Sequence, residues 1–97
     1  MKLLLFGMLV LSIRTVLASD IDADTARQLQ ADGQILPLGE VVDRAQALHP
    51  GTVLEVELER KDDGLVYEIE MLGADGSVMD LYFNAATGEV LKMNRDD

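Results

Sequence analysis

From Thr52 onward, apolar and polar residues alternate with a period of two, and this pattern constrains the fold more than any other feature of the chain. Such alternation places the apolar side chains on one face of a strand and the polar side chains on the other. Turns containing Gly64, Gly76 and Gly88 separate four runs of this kind. Short turns make consecutive strands antiparallel neighbours, so the sequence predicts a four-stranded antiparallel meander.

The inward-facing residues are expected to be the apolar ones at alternate positions of each strand. They are Leu54, Val56 and Leu58, then Tyr67, Ile69 and Met71, then Met79, Leu81 and Phe83, and finally Leu91 and Met93. The register of the last strand stays open, because a slip of one residue would turn Val90 inward in place of Leu91. The methionines are interpreted as core residues and not as Cu(I) ligands.

Two helices are expected before the sheet. Pro37 stands where a helix commonly begins, and the apolar residues that follow it have helical spacing. They are Leu38, Val41, Val42, Ala45 and Leu48. A shorter helix, Thr25 to Ala31, is expected to be capped by Asp24. The predicted fold class is therefore α+β, with one main helix packed on one face of the sheet and a short helix before it.

Residues 1–18 have the composition of a signal peptide. Lys2 gives the positive start, Leu3 to Ile13 form the apolar run, and Ala18 ends a segment suited to signal peptidase. An uncleaved anchor is the alternative, but Arg14 interrupts the run before the roughly 20 apolar residues that a membrane span needs. The sequence thus predicts a signal peptide over 1–18, an acidic lead with a short helix over 19–34, and one domain over 35–97. The expected location is periplasmic or secreted, without stable membrane insertion after cleavage.

The acidic composition narrows the range of partners. The full chain has a formal net charge of −10, which becomes −12 once Lys2 and Arg14 are removed with the signal peptide. Such a charge repels phosphate backbones and anionic lipid. We therefore expect no nucleic-acid partner and no binding to membrane surfaces.

Residues suited to catalysis are scarce. The chain has no cysteine, His49 is its single histidine, and Ser19 and Ser77 are the serines after the signal peptide. A nucleophile needs a base and an orienting group nearby, and carboxylates on a sheet face in water have no pocket that would tune them for acid–base work. His49, beside Pro50, is interpreted as a helix-end cation or a solvent contact. We expect no enzyme activity, no catalytic residues and no cofactor.

A metal site is not expected either. Asp20, Asp22 and Asp24 have the spacing that opens an EF-hand loop, but that loop needs Gly and Glu where this chain has Thr25 and Ala31. A zinc site needs three or four ligands, chiefly histidine and cysteine. The acidic lead is therefore interpreted as a solvated, helix-capping segment.

Residues 35 to 93 resemble the PepSY domain, a small cell-envelope module found in the propeptides of thermolysin-like peptidases. The resemblance rests on the helix from Leu38 to Ala45, on Tyr67-Glu-Ile-Glu, on Asp75-Gly76, and on Asn84-Ala-Ala-Thr-Gly-Glu-Val-Leu. Two features depart from the family pattern. We expect no peptidase domain to follow, which argues against propeptide-like inhibition, and Asn84 stands where members usually have Asp, which argues against a charge-based role of that turn.

The outward face of the predicted sheet is strongly acidic. Its candidate partner-docking residues are Glu55, Glu57, Glu59, Glu68, Glu70, Asp80 and Tyr82. Val66, Val78 and Tyr82 would supply its apolar component. Two interpretations stay open: the face serves only to keep a small exported protein in solution, or it docks a basic protein partner. Edge strands offer a further route to a partner strand.

The resemblance and the expected export together predict a non-catalytic periplasmic or secreted interaction module that regulates an envelope protease or a membrane sensor protein. The first alternative is a direct peptidase inhibitor or maturation chaperone. A plain metal-binding protein is the second. The partner in the first two cases is a protein.

The predicted signal peptide leads to a test of export. Because the apolar run ends near Ala18, cleavage should follow that residue. Mass spectrometry of the protein recovered from the periplasm should find Ser19 at the amino terminus. Intact Met1, as the main species in the membrane fraction, would contradict the prediction.

Overall fold

The computed structural model describes residues 21–62 and 64–96. The predicted signal peptide, residues 1–18, lies outside the described residues, and so do Ser19 and Asp20 at the start of the acidic lead. Neither helix of the described part has the length and hydrophobicity of a membrane span.

Two helices precede one sheet. Helix α1 is Ala23–Ala31 and helix α2 is Leu38–Leu48. The strands are β1 (Gly51–Lys61), β2 (Gly64–Gly73), β3 (Val78–Asn84) and β4 (Val90–Arg95). They pair antiparallel in the order β1-β2-β3-β4. The predicted α+β class and the four-stranded antiparallel meander are confirmed.

Helix α1 begins two residues earlier than the sequence predicted. Asp22 caps it, accepting a hydrogen bond from the backbone N–H of Thr25 at 2.7 Å. Asp24, the expected cap, lies in the first turn and pairs with Arg27. Ile21 explains the difference, because its side chain is only 2% exposed and packs into the core immediately before the cap. Burial of Ile21 therefore fixes where the helix begins.

Hydrogen bonds to the sheet hold both ends of helix α2. Before the helix, Leu36 donates its N–H to the carbonyl of Ala85 at 2.8 Å and accepts the Tyr67 hydroxyl at 3.1 Å. At its other end, the side-chain amide of Gln46 donates to the carbonyl of Gly51 and accepts its N–H, at 2.9 and 3.1 Å. The helix is thus fixed across one face of the sheet, which we call the inner face.

The core lies between helix α2 and the inner face. Val41 and Ala45 of the helix are fully buried. Seven strand residues on the inner face are at most 3% exposed: Val56, Leu58, Tyr67, Ile69, Met71, Leu81 and Phe83. Leu48, at the end of the helical stripe, is 45% exposed. The central strands β2 and β3 therefore face inward as the alternation predicted.

The prediction that Leu91 faces inward is wrong. Lys92 is opposite Tyr82 while Val90 is opposite Phe83, so Leu91 is an extra residue in a bulge and is 51% exposed. Val90 takes the inward position through this bulge and not through a slip of the whole strand. Met93 is opposite Leu81 and faces inward as predicted, but it remains 43% exposed because β4 is an edge strand.

A second irregularity interrupts strand β1. Val53 is opposite Met71 and Glu55 is opposite Glu70, so Leu54 has no partner and is 40% exposed. Leu54 was expected to face inward, and Val53 takes that position instead, partly buried against the core. A bulge inserts one residue on one strand of a pair, and this shifts the alternation of side chains beyond it.

The assignment of residues to the inner face can be tested by comparing a substitution at a central residue with one at a bulge residue. Ile69 is fully buried between Val56 and Leu81, so Ile69→Ala should lower the free energy of unfolding by roughly 2–5 kcal/mol. Leu91→Ala removes a half-exposed side chain and should cost less than about 1 kcal/mol. Urea titration of both variants measures the difference. Equal losses would place Leu91 in the core.

Candidate interaction face

The outer face of the sheet, opposite helix α2, carries the acidic residues in cross-strand rows. In one row Glu57 is directly opposite Glu68, and the row continues through Tyr82 to Lys92. Alternation within each strand turns all four side chains away from the core. Two like charges therefore face each other in the middle of the sheet, an arrangement that destabilises it.

The next row is more acidic. Glu55 is opposite Glu70, Glu70 is opposite Asp80, and Asp80 is opposite Asn94. The six carboxylates that the sequence placed on this face thus lie on it together, and we call them the acidic patch. They are Glu55, Glu57, Glu59, Glu68, Glu70 and Asp80.

Asp96 joins the acidic patch, although sequence reasoning missed it. Its backbone N–H donates to the carbonyl of Val78 at 2.7 Å, which extends the pairing of β3 past the end of β4. One oxygen from each of Glu70, Asp80 and Asp96 lies within 4.8 Å of the others. The predicted alternation, with Leu91 and Met93 inward, would turn Asp96 outward, but the last strand was expected to end at Asn94.

A second close group consists of Glu57, Glu59 and Glu68, again with one oxygen of each within 4.8 Å of the others. The space between the five carboxylates of the acidic patch other than Glu59 is about 20 Å³, which is room for about one water molecule. Exposed acidic groups of this kind are common without a bound ion, and the predicted absence of a metal site stays a prediction. The space between the carboxylates of the patch is too small for an organic substrate.

Crowding raises the pKa of Glu57 to about 7. The largest cause is a hydrogen bond with Glu59, in which the protonated Glu57 is the donor, and burial and the charge of Glu55 add to it. The pKa of Glu59 is lowered although burial opposes the shift, because Glu57 and Lys61 both hydrogen-bond to its carboxylate. Lys61 Nζ is 3.1 Å from Glu59 Oε1. One proton held on Glu57 thus relieves part of the repulsion.

Three other carboxylates of the acidic patch are also protonated more readily than usual. Burial is the main cause of the raised pKa of Glu68, Glu70 and Asp80. Asp96 contributes to the raised pKa of Glu70 and Asp80 through its charge and a hydrogen bond. The fold therefore keeps carboxylates together at a cost that rises as they ionise.

Tyr82 joins the acidic patch to a different surface. Its hydroxyl donates to Glu68 Oε2 at 3.1 Å, and Lys92 Nζ lies 4.9 Å from the centre of its ring. Burial and the charge of Glu68 raise the pKa of Tyr82 to about 12, so the hydroxyl stays a donor at neutral pH. Tyr82 was predicted as a site residue, and its two contacts hold the ring in place.

Beyond Tyr82, the outer face becomes apolar and basic. A concavity of about 360 Å³ is lined by Val66, Tyr82 and Leu91, and also by Lys61 and Lys92. Val66 is only 8% exposed although it lies on the outer face. Val78, which the sequence grouped with Val66 and Tyr82, is opposite Leu72 at the other end of the sheet and is not part of this concavity. Leu91 was missed because the bulge turns it outward.

Two of the residues considered for catalysis, His49 and Ser77, belong to the described part of the chain and are not members of the acidic patch. His49 is the residue after helix α2, and its ring packs so closely on Gly73 that a β-carbon there would be 2.8 Å from Nε2. Ser77 donates its hydroxyl to Asp75 Oδ1 at 2.6 Å in the turn between β2 and β3. Both side chains thus have structural contacts.

Asn84 performs in its turn the hydrogen bonding that an aspartate would perform. Its Oδ1 accepts the backbone N–H groups of Ala86 and Thr87 at 2.9 and 3.1 Å. Gly88 then adopts a φ of 82°, a conformation that glycine reaches at little cost. The departure from Asp removes a charge from this turn and keeps its acceptor.

Comparison with known proteins gives one result that bears on this geometry. The family model described as "PepSY: Peptidase propeptide and YPEB domain" matches residues 35–94. This range contains helix α2, nearly all of the sheet and the whole acidic patch except Asp96. Searches of curated proteins and of solved structures found no match to the chain.

The raised pKa of Glu57 predicts how stability depends on pH. The value in the fold, about 7, exceeds the ordinary 4.5, so the folded protein binds this proton more tightly than the unfolded chain. Its contribution is fully present below about pH 4.5 and is lost as the pH rises to about 7. Glu57→Gln removes the titrating group, so the variant should lose less stability across this window in urea titrations.

The control for this experiment is Glu89→Gln, which alters an exposed glutamate before β4 and should keep the wild-type slope. Asp22, Asp75 and Glu59 have pKa values lowered from the ordinary 3.8, 3.8 and 4.5. Their effect on stability therefore changes only below about pH 4.5, outside the window of this experiment. Identical slopes for the wild type and Glu57→Gln would mean that Glu57 ionises freely in the fold.

Proposed function

Because the chain belongs to the PepSY family, we propose that it is a non-catalytic interaction module that acts outside the cytoplasm, in the periplasm or as a secreted protein. PepSY domains are generally non-catalytic propeptide or inhibitor-type modules, and they are typically extracytoplasmic. The composition of residues 1–18 supports export of this chain. In this proposal the module regulates an envelope protease or a membrane sensor protein by binding it.

The acidic patch is the observation that carries the proposal. Glu57 faces Glu68, and Glu70 faces both Glu55 and Asp80, so repulsion acts across three adjacent strands. A face that served only to keep the protein in solution would not need its charges directly opposite one another. Lysine and arginine side chains of a partner would remove the repulsion on docking. We therefore assign the patch to binding of a basic protein surface.

The family description supports a second candidate, a direct peptidase inhibitor or maturation chaperone. The description of the matching family names the peptidase propeptide. In that case the basic surface would belong to the peptidase itself. An assay of a secreted thermolysin-like peptidase with and without the purified domain separates the two candidates, since a regulator of a sensor protein would leave peptidase activity unchanged.

The docking role is tested by removing two opposed charges. Glu57→Gln/Glu68→Gln should keep or slightly raise stability, because it relieves repulsion. The variant should bind the basic partner more weakly, chiefly through a slower association rate that depends on salt. The partner is isolated from periplasmic extract on immobilised wild-type protein, and its association rate is then measured with both proteins at several salt concentrations.

The matched control is Glu40→Gln/Glu89→Gln, which removes the same net charge away from the acidic patch. Glu40 lies on helix α2 and pairs with Arg44, and Glu89 lies in the turn before β4. The control should bind the partner at nearly the wild-type rate. Equal binding by all three proteins at low salt would leave the patch without a docking role, and a loss of stability in Glu57→Gln/Glu68→Gln would show that these two glutamates are paired favourably in the fold.

A further inference from the structure

The outer face has two chemically different halves that meet at Tyr82. The acidic patch occupies one half, and the concavity with Val66 and Leu91 occupies the other. Tyr82 contributes its hydroxyl to Glu68 of the first half and its ring to the wall of the second. A partner that covers Tyr82 would therefore contact both halves.

The concavity is suited to an apolar side chain. Leu91 is 51% exposed beside Val66, and the concavity of about 360 Å³ is larger than one leucine or phenylalanine side chain needs. An exposed leucine next to a large apolar recess is typical of interaction sites. Lys61 and Lys92, which also line the concavity, would repel basic residues placed here, so a basic residue is disfavoured in this half.

The spacing of alternate residues along β2 gives the distance between the concavity and the acidic patch. Val66, Glu68 and Glu70 follow one another at alternate positions of β2, and alternate residues of a strand are about 7 Å apart. An extended segment lying along β2 has the same spacing between its own alternate side chains. A segment with an apolar residue over Val66 would thus place the residues two and four positions away over Glu68 and Glu70.

We infer that the outer face recognises an extended segment of a protein with the pattern apolar-x-basic-x-basic, in which the apolar residue enters the concavity beside Leu91 and the two basic residues lie over the acidic patch. This inference rests on the proposed docking of a basic partner, and it adds the residue pattern by which the outer face would select one basic segment over another. Charge complementarity fixes the basic half, and the two lysines disfavour the opposite placement. We call the apolar residue of the pattern the anchor. Segments that are basic throughout have no anchor and should bind more weakly.

The probes are short capped peptides that differ in one residue. The anchored peptide is Leu-Ser-Lys-Ser-Lys-Ser, synthesised also in the reverse order because a segment can run along β2 in either direction. The matched peptide replaces leucine by serine and keeps both lysines. Binding to the full protein is measured by NMR titration at low salt. The anchored peptide, in its better order, should bind about tenfold more tightly, as expected for burying part of a leucine side chain.

Variants of the protein identify where the anchor binds. Leu91→Ser should reduce the preference for the anchored peptide to about one, and Leu91→Ala should reduce it in part. Leu48→Ser, which alters an equally exposed leucine on helix α2 on the other side of the sheet, should keep the tenfold preference. Circular dichroism verifies that each variant is folded, as expected for residues this exposed.

The outcomes separate this inference from the proposed function. If both peptides bind the wild type equally well and Glu57→Gln/Glu68→Gln weakens both, the basic docking stands and the anchor inference is overturned. A tenfold preference that survives Leu91→Ser would also overturn it. If neither peptide binds at low salt, the inference and the docking role both fail. A preference lost in Leu91→Ser, and kept in Leu48→Ser and in Glu57→Gln/Glu68→Gln, supports the inference.

Discussion

Packing of a single helix on a single face of the sheet is the interaction on which the rest of this structure depends. Val41 and Ala45 bury themselves against Ile69, Met71 and their neighbours, and this apolar contact stabilises the sheet. Because no described element covers the other face, the side chains there remain in contact with water. The alternation of strand residues then turns every second side chain outward, and the sequence supplies glutamate at five of those positions on β1 and β2.

The one-sided core also explains why the edges of the sheet differ from its centre. Tyr67 and Ile69 lie on β2 under helix α2 and are buried, whereas β4 is exposed at every residue from Val90 to Arg95. With no layer above it, an edge strand gains little from strict alternation. The bulge at Leu91 costs little burial there, and it transfers a leucine to the outer face.

Much of this fold follows from the sequence, because the central strands obey the simple period of two. The predicted inward residues of β2, and Leu81 and Phe83 of β3, are all buried. Leu54 and Leu91 were wrongly predicted because a bulge turns each of them outward, and a bulge leaves no mark in a local pattern. The start of α1 was misplaced for a related reason. Asp22 and Asp24 are equally suited to cap a helix, and only the burial of Ile21 in the tertiary structure favours Asp22.

The candidate face was partly predictable for the same reason. Its carboxylates occupy polar positions of the alternation, so their shared face followed from the sequence. Three features did not follow. Asp96 lies past the predicted end of β4, the exposure of Leu91 depends on the bulge in that strand, and the hydrogen bond from Tyr82 to Glu68 depends on the register between β2 and β3. These features divide the outer face into an acidic half and an apolar half.

Carboxylates held directly opposite one another reduce the stability of a small domain, which has little stability to lose. The fold lessens this cost in two ways, by retaining a proton near Glu57 and by the hydrogen bond from Tyr82 to Glu68. In the proposed complex, a partner's cations would take the place of this proton and of this hydrogen bond. Docking would then release the proton and restore full negative charge where the partner is positive, so the attraction would strengthen as the complex forms. An acidic face that is strained when free and relaxed when covered is the arrangement expected of a surface for binding.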